Sequence, residues 1–467
     1  MGARTVCAAL VCKATYHILR LLGRGGTSLP GKLALKIDPE YLHRLSRGVR
    51  TIVITGTNGK TTSTHIVAQA LENMGEQAFY NRSGANLIQG ITTEFAIRSS
   101  ITGKPRYRLA AIECDEGALR RVCKQLDPDV LVVTNVFRDQ LDRYGEVTHT
   151  LENIMAGVTN SPHATLCLNA DDSMVVSIAD KVDNDAIFYG VSCEIYPERV
   201  VDLSDATHCI MCGNEYEYDY VTFAHLGGFR CPACGYARPA PAVAVEKVLE
   251  RYSDSCVLEI SVDGVSSAVP VDVPASYDIY NCACVVAGLL AFGFSKEQAF
   301  EALGKFKHGF GRSEVLDVNG TKVRLMLMKN PAGCNQIINL LLNETDEDMG
   351  LVCILNDQEC DGTDVSWIYD AGWEAICARK RTAICSGDRA EDMALRLKYA
   401  GMPADGIRII HDYGELIEEL GRMGHVVTVV DARFSRESGK RSGSRGILGG
   451  LGDGGRAYAH HDRTSLP

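Results

Sequence analysis

One short run limits what this chain can fold into more than any other. Thr51-Ile52-Val53-Ile54-Thr55 leads directly into Gly56-Thr57-Asn58-Gly59-Lys60-Thr61-Thr62. The first five residues are all β-branched and read as a buried strand. Ser63 to Leu71 then carries apolar spacing suited to a helix. A glycine turn between such a strand and helix lets backbone N–H groups and the helix N-terminus face anionic oxygens. Lys60 is expected to reach the terminal phosphates of a nucleotide, and the Thr61 hydroxyl a magnesium ion. The standard pattern has a glycine where Ile54 stands, so the loop is a shortened variant. The competing reading is an ordinary glycine turn; the flanking strand and helix favour nucleotide binding. Gly56, Thr57, Asn58, Gly59, Lys60, Thr61 and Thr62 are therefore the ATP-binding candidates.

The pattern continues beyond the loop. Leu109–Glu113, Val130–Thr134 and Ala164–Leu168 are short apolar runs that each lead into polar residues. This is the signature of a parallel sheet with crossover helices, where ligand groups gather at strand C-termini. A break comes near Val200. Strand patterning returns at Val257–Val262 and Ser267–Val273, followed by a helix from about Tyr280 to Phe292. Gly309-Phe310-Gly311-Arg312 reads as a hinge into a smaller α/β domain over 309–432, with strands expected at Lys322–Met328, Gly350–Leu355, Arg381–Cys385, Ile407–Ile410 and His425–Val430. Residues 433–467 are rich in Gly, Ser and Arg without periodicity and are expected to be disordered. The 467 residues allow two or three domains.

Composition narrows the partners. A net charge of −11 gives no general pull toward nucleic acid. The eighteen cysteines include thiols in apolar contexts, such as Cys114, Cys167 and Cys353, which fits a reducing cytoplasm. The opening stretch over 1–50 reads as a helical leader. Lys13 interrupts its apolar run, which is too short to span a bilayer, so an amphipathic helix packed on the domain surface is expected, against the alternative of one resting near a membrane.

Two constellations carry chemistry of their own. Cys209-x2-Cys212 and Cys231-x2-Cys234, eighteen residues apart, have the spacing of a zinc ribbon over 206–237. Gly213 and Gly235 follow each pair and allow a tight turn around a metal. Two disulfides are the alternative, disfavoured in a cytoplasmic chain. Four thiolate ligands leave no open position, so the zinc is structural, and His225 between the pairs reads as a bystander. Glu113, at a strand end beside the phosphate loop, suits magnesium together with Thr61, against the alternative of a simple helix N-terminal acid. Thr134-Asn135-Val136-Phe137-Arg138-Asp139-Gln140-Leu141-Asp142-Arg143 and Asn169-Ala170-Asp171-Asp172 also follow strands. Any one of these could cap a helix, but together they suggest a nucleotide-facing rim.

Strand-GTNGKTT, Glu113, the TNVFRDQLDR and NADD runs, and Tyr277-Asp278-Ile279-Tyr280-Asn281 resemble the central ATPase domain of the Mur ligases. The cysteine ribbon, Leu29-Pro30-Gly31-Lys32, Asn81-Arg82-Ser83-Gly84-Ala85-Asn86, Lys329-Asn330-Pro331-Ala332-Gly333 and Asn356-Asp357-x3-Asp361-Gly362-x-Asp364-Val365-Ser366-Trp367 resemble its MurT branch. The resemblance runs from about Gly23 to Asp431. It implies a central P-loop ATPase domain over 51–308 with the ribbon inserted, and a MurT-type C-terminal α/β domain. It also implies Asn281 and Arg312 as further ATP-binding residues.

The activity implied is amidation of the α-carboxylate of D-glutamate in the lipid II stem peptide. ATP and Mg2+ would drive it through an acyl phosphate, with ammonia from a separate GatD-type class I glutaminase. Asp364 is implied to complete that partner's Cys-His pair. From its position alone it could equally cap the helix starting near Val365, and Asp361 and Asp370 are the reserves. Two departures stand out: Gln140 where Mur ligases usually carry a histidine, so their second-metal arrangement is not carried over, and the Gly/Ser/Arg-rich end of the chain. The competing functions are a Mur-type ligase that adds an amino acid to a peptidoglycan precursor or folate-like substrate, and a zinc-ribbon binding module on a degenerate ATPase. Intact Gly59, Lys60, Thr61 and Glu113 argue against the latter.

Overall fold

The computed structural model describes residues 2–81, 85–137, 147–200, 206–252, 255–274, 276–307, 313–328, 330–343, 350–357, 364–423 and 427–431. Arg312, Asp361, Gln140, the hinge glycines and residues 433–467 lie outside them. The chain divides into two compact units. The first comprises Met1–Pro197 and Leu203–Lys307; the second comprises Glu198–Asp202 and His308–Pro467.

In the first unit, eleven strands are described: β1 (Arg50–Thr55), β2 (Ala78–Tyr80), β3 (Leu109–Glu113), β4 (Val130–Val133), β5 (Thr165–Asn169), β6 (Ala186–Val191), β7 (Glu217–Phe223), β8 (Leu226–Arg230), β9 (Val243–Arg251), β10 (Cys256–Val262) and β11 (Val265–Val271). Nine of them form one sheet in the order β11-β10-β9-β6-β5-β4-β1-β3-β2. From β2 to β9 all neighbours are parallel, while β9, β10 and β11 run antiparallel at one edge. β1 has β3 on one side and β4 on the other, so the strand order reverses at β1 and opens a crevice at its C-terminal end. The phosphate loop begins there.

The central strands are buried on both faces, as their continuous apolar runs require. On one face the helices Ala3–Leu21, Leu29–Ile37 and Tyr41–Ser46 join Ile88–Ile97, Glu116–Leu126, Val147–Thr159 and Ser173–Ala179 in a single core with Val53, Ile112, Leu131 and Leu166. Helices Lys60–Asn73, Asp278–Ala291 and Lys296–Gly304 pack together against strands of the sheet. The helix Asp278–Ala291 is buried almost all round, which matches its nearly unbroken run of apolar and small residues. Strands β7 and β8 form a separate hairpin that carries the cysteine ribbon.

The second unit holds a six-stranded sheet made of β12 (Ser313–Val318), β13 (Thr321–Leu327), β14 (Gly350–Ile354), β15 (Ala383–Ser386), β16 (Ile407–Ile409) and β17 (Val427–Asp431), in the order β12-β13-β17-β14-β15-β16. Only β12 and β13 pair antiparallel. Helices Pro331–Leu342, Trp373–Arg379, Ala390–Tyr399 and Tyr413–Met423 accompany the sheet. Asn330 caps the first of these, accepting from Gly333 N at 2.7 Å. Val200 is buried in this unit's core beside Met328 and Trp373, its N–H donated to Asn339 Oδ1 at 2.8 Å. The break near Val200 in the sequence thus coincides with a segment that leaves the first unit to join the second.

Candidate nucleotide site and metal centre

The phosphate loop is built on conformations open to glycine. Gly59 has φ +87°, and a Cβ there would lie 2.3 Å from Asn281 Oδ1 and 3.4 Å from the Tyr277 ring. Lys60 begins the following helix, with Ser63 N donating to Gly59 O at 2.9 Å. Asn281 sits against the loop glycine rather than out in the crevice. Its Oδ1 accepts from Ser63 Oγ at 3.1 Å, and its Nδ2 donates to Asp278 Oδ1 at 2.8 Å.

The polar run after β4 props the loop from below. Asn135 is fully buried. Its backbone O accepts from Thr57 N at 2.9 Å, its Oδ1 accepts from Asn58 N at 2.9 Å, and its Nδ2 donates to Asn58 O at 2.9 Å and to the Tyr277 hydroxyl. Thr134 Oγ1 donates to Asn58 O at 2.7 Å, and Phe137 N donates to Thr57 Oγ1 at 3.0 Å. The TNVF run is thus a scaffold for the loop. The remainder of that motif, from Arg138 to Arg143, lies outside the described residues.

Lys60 and the acids beside it form the charged part of the site. Lys60 Nζ donates to Thr57 O at 3.1 Å, to Glu116 Oε1 at 3.1 Å and to Gly56 O. Burial pushes the Glu116 carboxyl up, and Lys60 pulls it back. Glu116 was not among the sequence-level site candidates; its signal was only its place in the Cys114-Asp115-Glu116 run after β3. Glu113 ends β3 in register with Ile54 and is 5 % exposed. Asn86 Nδ2 donates to its Oε1 at 3.1 Å, while Asn81 holds its backbone on both sides at 2.9 Å. Asn81 and Asn86, from the NRSGAN run, therefore fix this carboxylate. Thr61 and Thr62, both partly exposed, occupy the first turn of the helix. A threonine hydroxyl and a carboxylate are donor types suited to magnesium.

The next strand end is structural. Asp171 is fully buried, accepting from Arg238 Nε at 2.6 Å, Tyr280 Oη at 2.6 Å and Val191 N at 2.9 Å. Burial pushes its carboxyl up, and Arg238 counters. Asp172 caps the helix Ser173–Ala179 and accepts from Val136 N at 2.8 Å.

The four cysteines come together. Their sulfurs all lie within 4.8 Å of one another, with Cys209 and Cys234 at 3.6 Å and Cys212 and Cys231 at 3.4 Å. A tetrahedral zinc with Zn–S of about 2.3 Å needs sulfurs roughly 3.8 Å apart, so this set fits zinc. The two knuckles are near copies. Gly213 (φ +79°) donates to Cys209 O at 2.8 Å, and Gly235 (φ +78°) to Cys231 O at 3.0 Å. The ribbon is fastened to the sheet unit by Tyr236 Oη, which donates to Ser173 O at 2.7 Å, and by an apolar cluster of Val176, Tyr216 and Phe229.

His225 lies at the opposite end of the hairpin and outside the four-cysteine cluster. It is wholly buried, its ring centroid 4.5 Å from that of Phe137 and its Nε2 3.6 Å from Asp172 Oδ2. Thr222 Oγ1 and Tyr280 Oη form a hydrogen bond, and the Phe223 ring meets Tyr277. The hairpin tip thus packs on the residues that support the phosphate loop.

In the second unit, Asn356 and Asp357 follow β14. Asn356 Oδ1 accepts from Asp388 N at 3.0 Å, and Asp357 pairs with Arg389 at 3.1 Å. Asp364 is exposed and lies just before the short helix Ser366–Asp370. Its Oδ1 accepts from Ser366 N at 2.8 Å, and the Ser366 hydroxyl and amide hold the carboxyl below its ordinary range. The buried thiols Cys12, Cys123, Cys256 and Cys284 are pushed up to about 12 by burial, which leaves them protonated at neutral pH.

Two family models match the chain. The Mur ligase middle domain model matches residues 54–229, and the MurT ligase C-terminal model matches 327–431. The MurT subunit of the glutamine-hydrolysing lipid II isoglutaminyl synthase of Streptococcus pneumoniae is 33 % identical over 410 residues, covering 87 % of this chain and 89 % of that protein. The Staphylococcus aureus subunit of the same name is 32 % identical over 393 residues, covering 84 % and 86 %. Among solved structures, a type C pseudomurein peptide ligase from Methanothermus fervidus superposes with a TM-score of 0.64 at 19 % identity, covering 86 % of this chain and 81 % of that one. MurF from Thermotoga maritima superposes at 0.62 and 15 %, covering 90 % and 84 %. At those identities the structures speak for the fold; the two full-length relatives speak for the family. The chain belongs to the MurT family, within the Mur-ligase superfamily of carbon–nitrogen ligases.

Proposed function

We propose that this chain uses ATP to activate the α-carboxylate of D-glutamate in the lipid II stem peptide and passes it, as an acyl phosphate, to ammonia, giving D-isoglutamine. The observation that carries the reading is the likeness, over nearly the whole length, to two subunits of glutamine-hydrolysing lipid II isoglutaminyl synthases. By the same likeness, ammonia comes from a separate GatD-type class I glutaminase, and the work is done at the inner face of the cytoplasmic membrane. No helix among the described residues is long and apolar enough to cross a membrane.

The chemistry needs activation because a carboxylate and ammonia do not condense in water. In this reading the loop Gly56–Thr62 cradles the phosphates with its amides, and Lys60 meets charge developing on the transferred phosphoryl group. Glu116 orients Lys60 through their ion pair. Thr61 and Glu113 would hold magnesium, which when bound supplies charge neutralisation between the phosphates. Asn281 supports the loop through Gly59, and Arg312 is carried as an ATP-binding residue on the family resemblance. Cys209, Cys212, Cys231 and Cys234 would hold a structural zinc with no open position.

Asp364 is proposed to complete the partner's Cys-His pair by orienting the imidazole. Its exposure and lowered pKa leave it ionised and accessible for that role. Asp364→Asn should abolish amidation driven by glutamine and leave amidation driven by ammonium chloride intact. Loss of both activities would remove Asp364 from the triad, and retention of both would do the same.

A further inference from the structure

The first helix, Ala3–Leu21, is packed on one side only. Thr5, Ala8, Ala9 and Cys12 are buried, the last three in the core with Tyr41 and Phe95. On its outer side Leu10, Ile18 and Leu21 are 50 %, 55 % and 87 % exposed, and the adjoining Leu22 is 64 % exposed. With the exposed Ala14, these residues recur at three- and four-residue intervals and make one apolar stripe along the helix.

The charge around the stripe is one-sided. The first 37 residues contain Arg4, Lys13, Arg20, Arg24, Lys32 and Lys36 and no acid, in a chain whose net charge is −11. Beside the helix lies a cavity of about 410 Å³ lined by Lys13, Tyr16, His17, Arg98, Arg106 and Tyr107, with Ile97. Lys13 is partly buried, and burial and then Arg106 lower its pKa, so two cations face the same space. Arg98 has a carboxylate partner, Glu94, and Lys13 Nζ donates to the Ser99 carbonyl, but among the described residues no acid pairs with Lys13 or Arg106. Aromatic rings beside uncompensated cations and an apolar helix face form a surface matched to an anionic lipid interface.

We propose that the outer face of Ala3–Leu21 docks this protein on an anionic phospholipid bilayer, with the leucine–isoleucine stripe at the acyl boundary and the Lys13–Arg106 cavity taking a lipid phosphate. The purpose of this surface rests on the proposed lipid-borne substrate; its physical basis is the stripe and the charge. A protein that must meet a lipid headgroup repeatedly is served by weak and reversible binding of this kind.

The test is co-sedimentation of the full chain with vesicles of phosphatidylglycerol and phosphatidylcholine, against phosphatidylcholine alone. Anionic vesicles should bind it at least about tenfold more tightly, and raised salt should weaken that binding. Ile18→Glu with Leu21→Glu, both at exposed positions, should cut the binding about tenfold or more, and Arg106→Glu should cut it separately. Unchanged thermal unfolding of the variants shows that they fold. Equal binding to neutral vesicles, no binding, or binding unaffected by the variants overturns the proposal. So does a wild-type dimer that the Ile18/Leu21 variant dissociates, because the stripe would then be a subunit interface. Amidation of detergent-solubilised lipid II with ammonium, run in parallel without vesicles, separates the two ideas: activity without vesicle binding overturns only the docking surface, and vesicle binding without activity overturns only the proposed reaction.

Discussion

Asn135 offers the sharpest test of how the phosphate loop is held. Its side chain makes three hydrogen bonds to the loop and its support: from Asn58 N at 2.9 Å, to Asn58 O at 2.9 Å, and to the Tyr277 hydroxyl. At a net value of about 0.5–1.5 kcal/mol each, Asn135→Ala removes between roughly 1.5 and 4.5 kcal/mol. Asn58 is partly exposed, so water recovers some of this on the crevice side. A loss of about 2 kcal/mol in nucleotide affinity is expected, which is roughly 30-fold. Isothermal titration with a non-hydrolysable ATP analogue and magnesium measures it directly, with thermal unfolding as the control for folding. Asn135→Asp keeps the acceptor for Asn58 N but loses both donors and adds a negative charge near the phosphates, so it should bind no better than the alanine variant. Nucleotide affinity within twofold of wild type for Asn135→Ala, at an unchanged melting temperature, would refute the idea that this side chain preorganises the loop.

Other expectations follow from single contacts. Gly59→Ala forces a Cβ to within 2.3 Å of Asn281 Oδ1 at a positive φ, so ATP turnover should fall below detection while Asn281→Gly in the same chain restores part of it. Cys212→Ser should remove zinc, read by metal analysis, and expose the ribbon to protease. Because the hairpin tip reaches Tyr280 and Phe137, ATP affinity should fall with it. The lowered pKa of Asp364 means that its contribution to stability is present above the ordinary aspartate value of about 3.9 and is lost only as pH falls through the lower folded value. Ser366→Ala should move the Asp364 titration upward toward the ordinary range, seen by carboxyl carbon NMR.

Much of the sheet was legible because its strands obey local rules. β3 was readable to the residue from Leu109 to Glu113, and β1 and β4 to within one, since strands buried on both faces are continuous apolar runs ended by polar groups. The cysteine ribbon was legible because metal ligation demands fixed spacing. What escaped notice depends on partners far along the chain. β9 is buried only over Val243–Val245 and then turns half-buried or exposed, and the charged residues Glu246, Lys247, Glu250 and Arg251 hide it from a search for apolar runs. β2 is three residues long and exists through its pairing with β3. The hairpin tip was equally hidden. Nothing near His225 in sequence announces that its ring will be buried against Phe137 and Asp172. Asn281 was expected near ATP only from the family resemblance, and its seat against Gly59, rather than out in the crevice, follows from how the helix Asp278–Ala291 packs on the helix Lys60–Asn73.

The central claim is that a carboxylate is activated by phosphorylation and then captured by ammonia. Lipid II labelled with oxygen-18 in the α-carboxylate of its D-glutamate, incubated with this chain, ATP, magnesium and ammonium chloride, tests it in one reaction. The account predicts one oxygen-18 atom transferred to inorganic phosphate for each amide formed, with the product mass reduced as a carboxyl oxygen gives way to amide nitrogen. Phosphate released without label, or a product carrying an added amino acid in place of the amide, would contradict it.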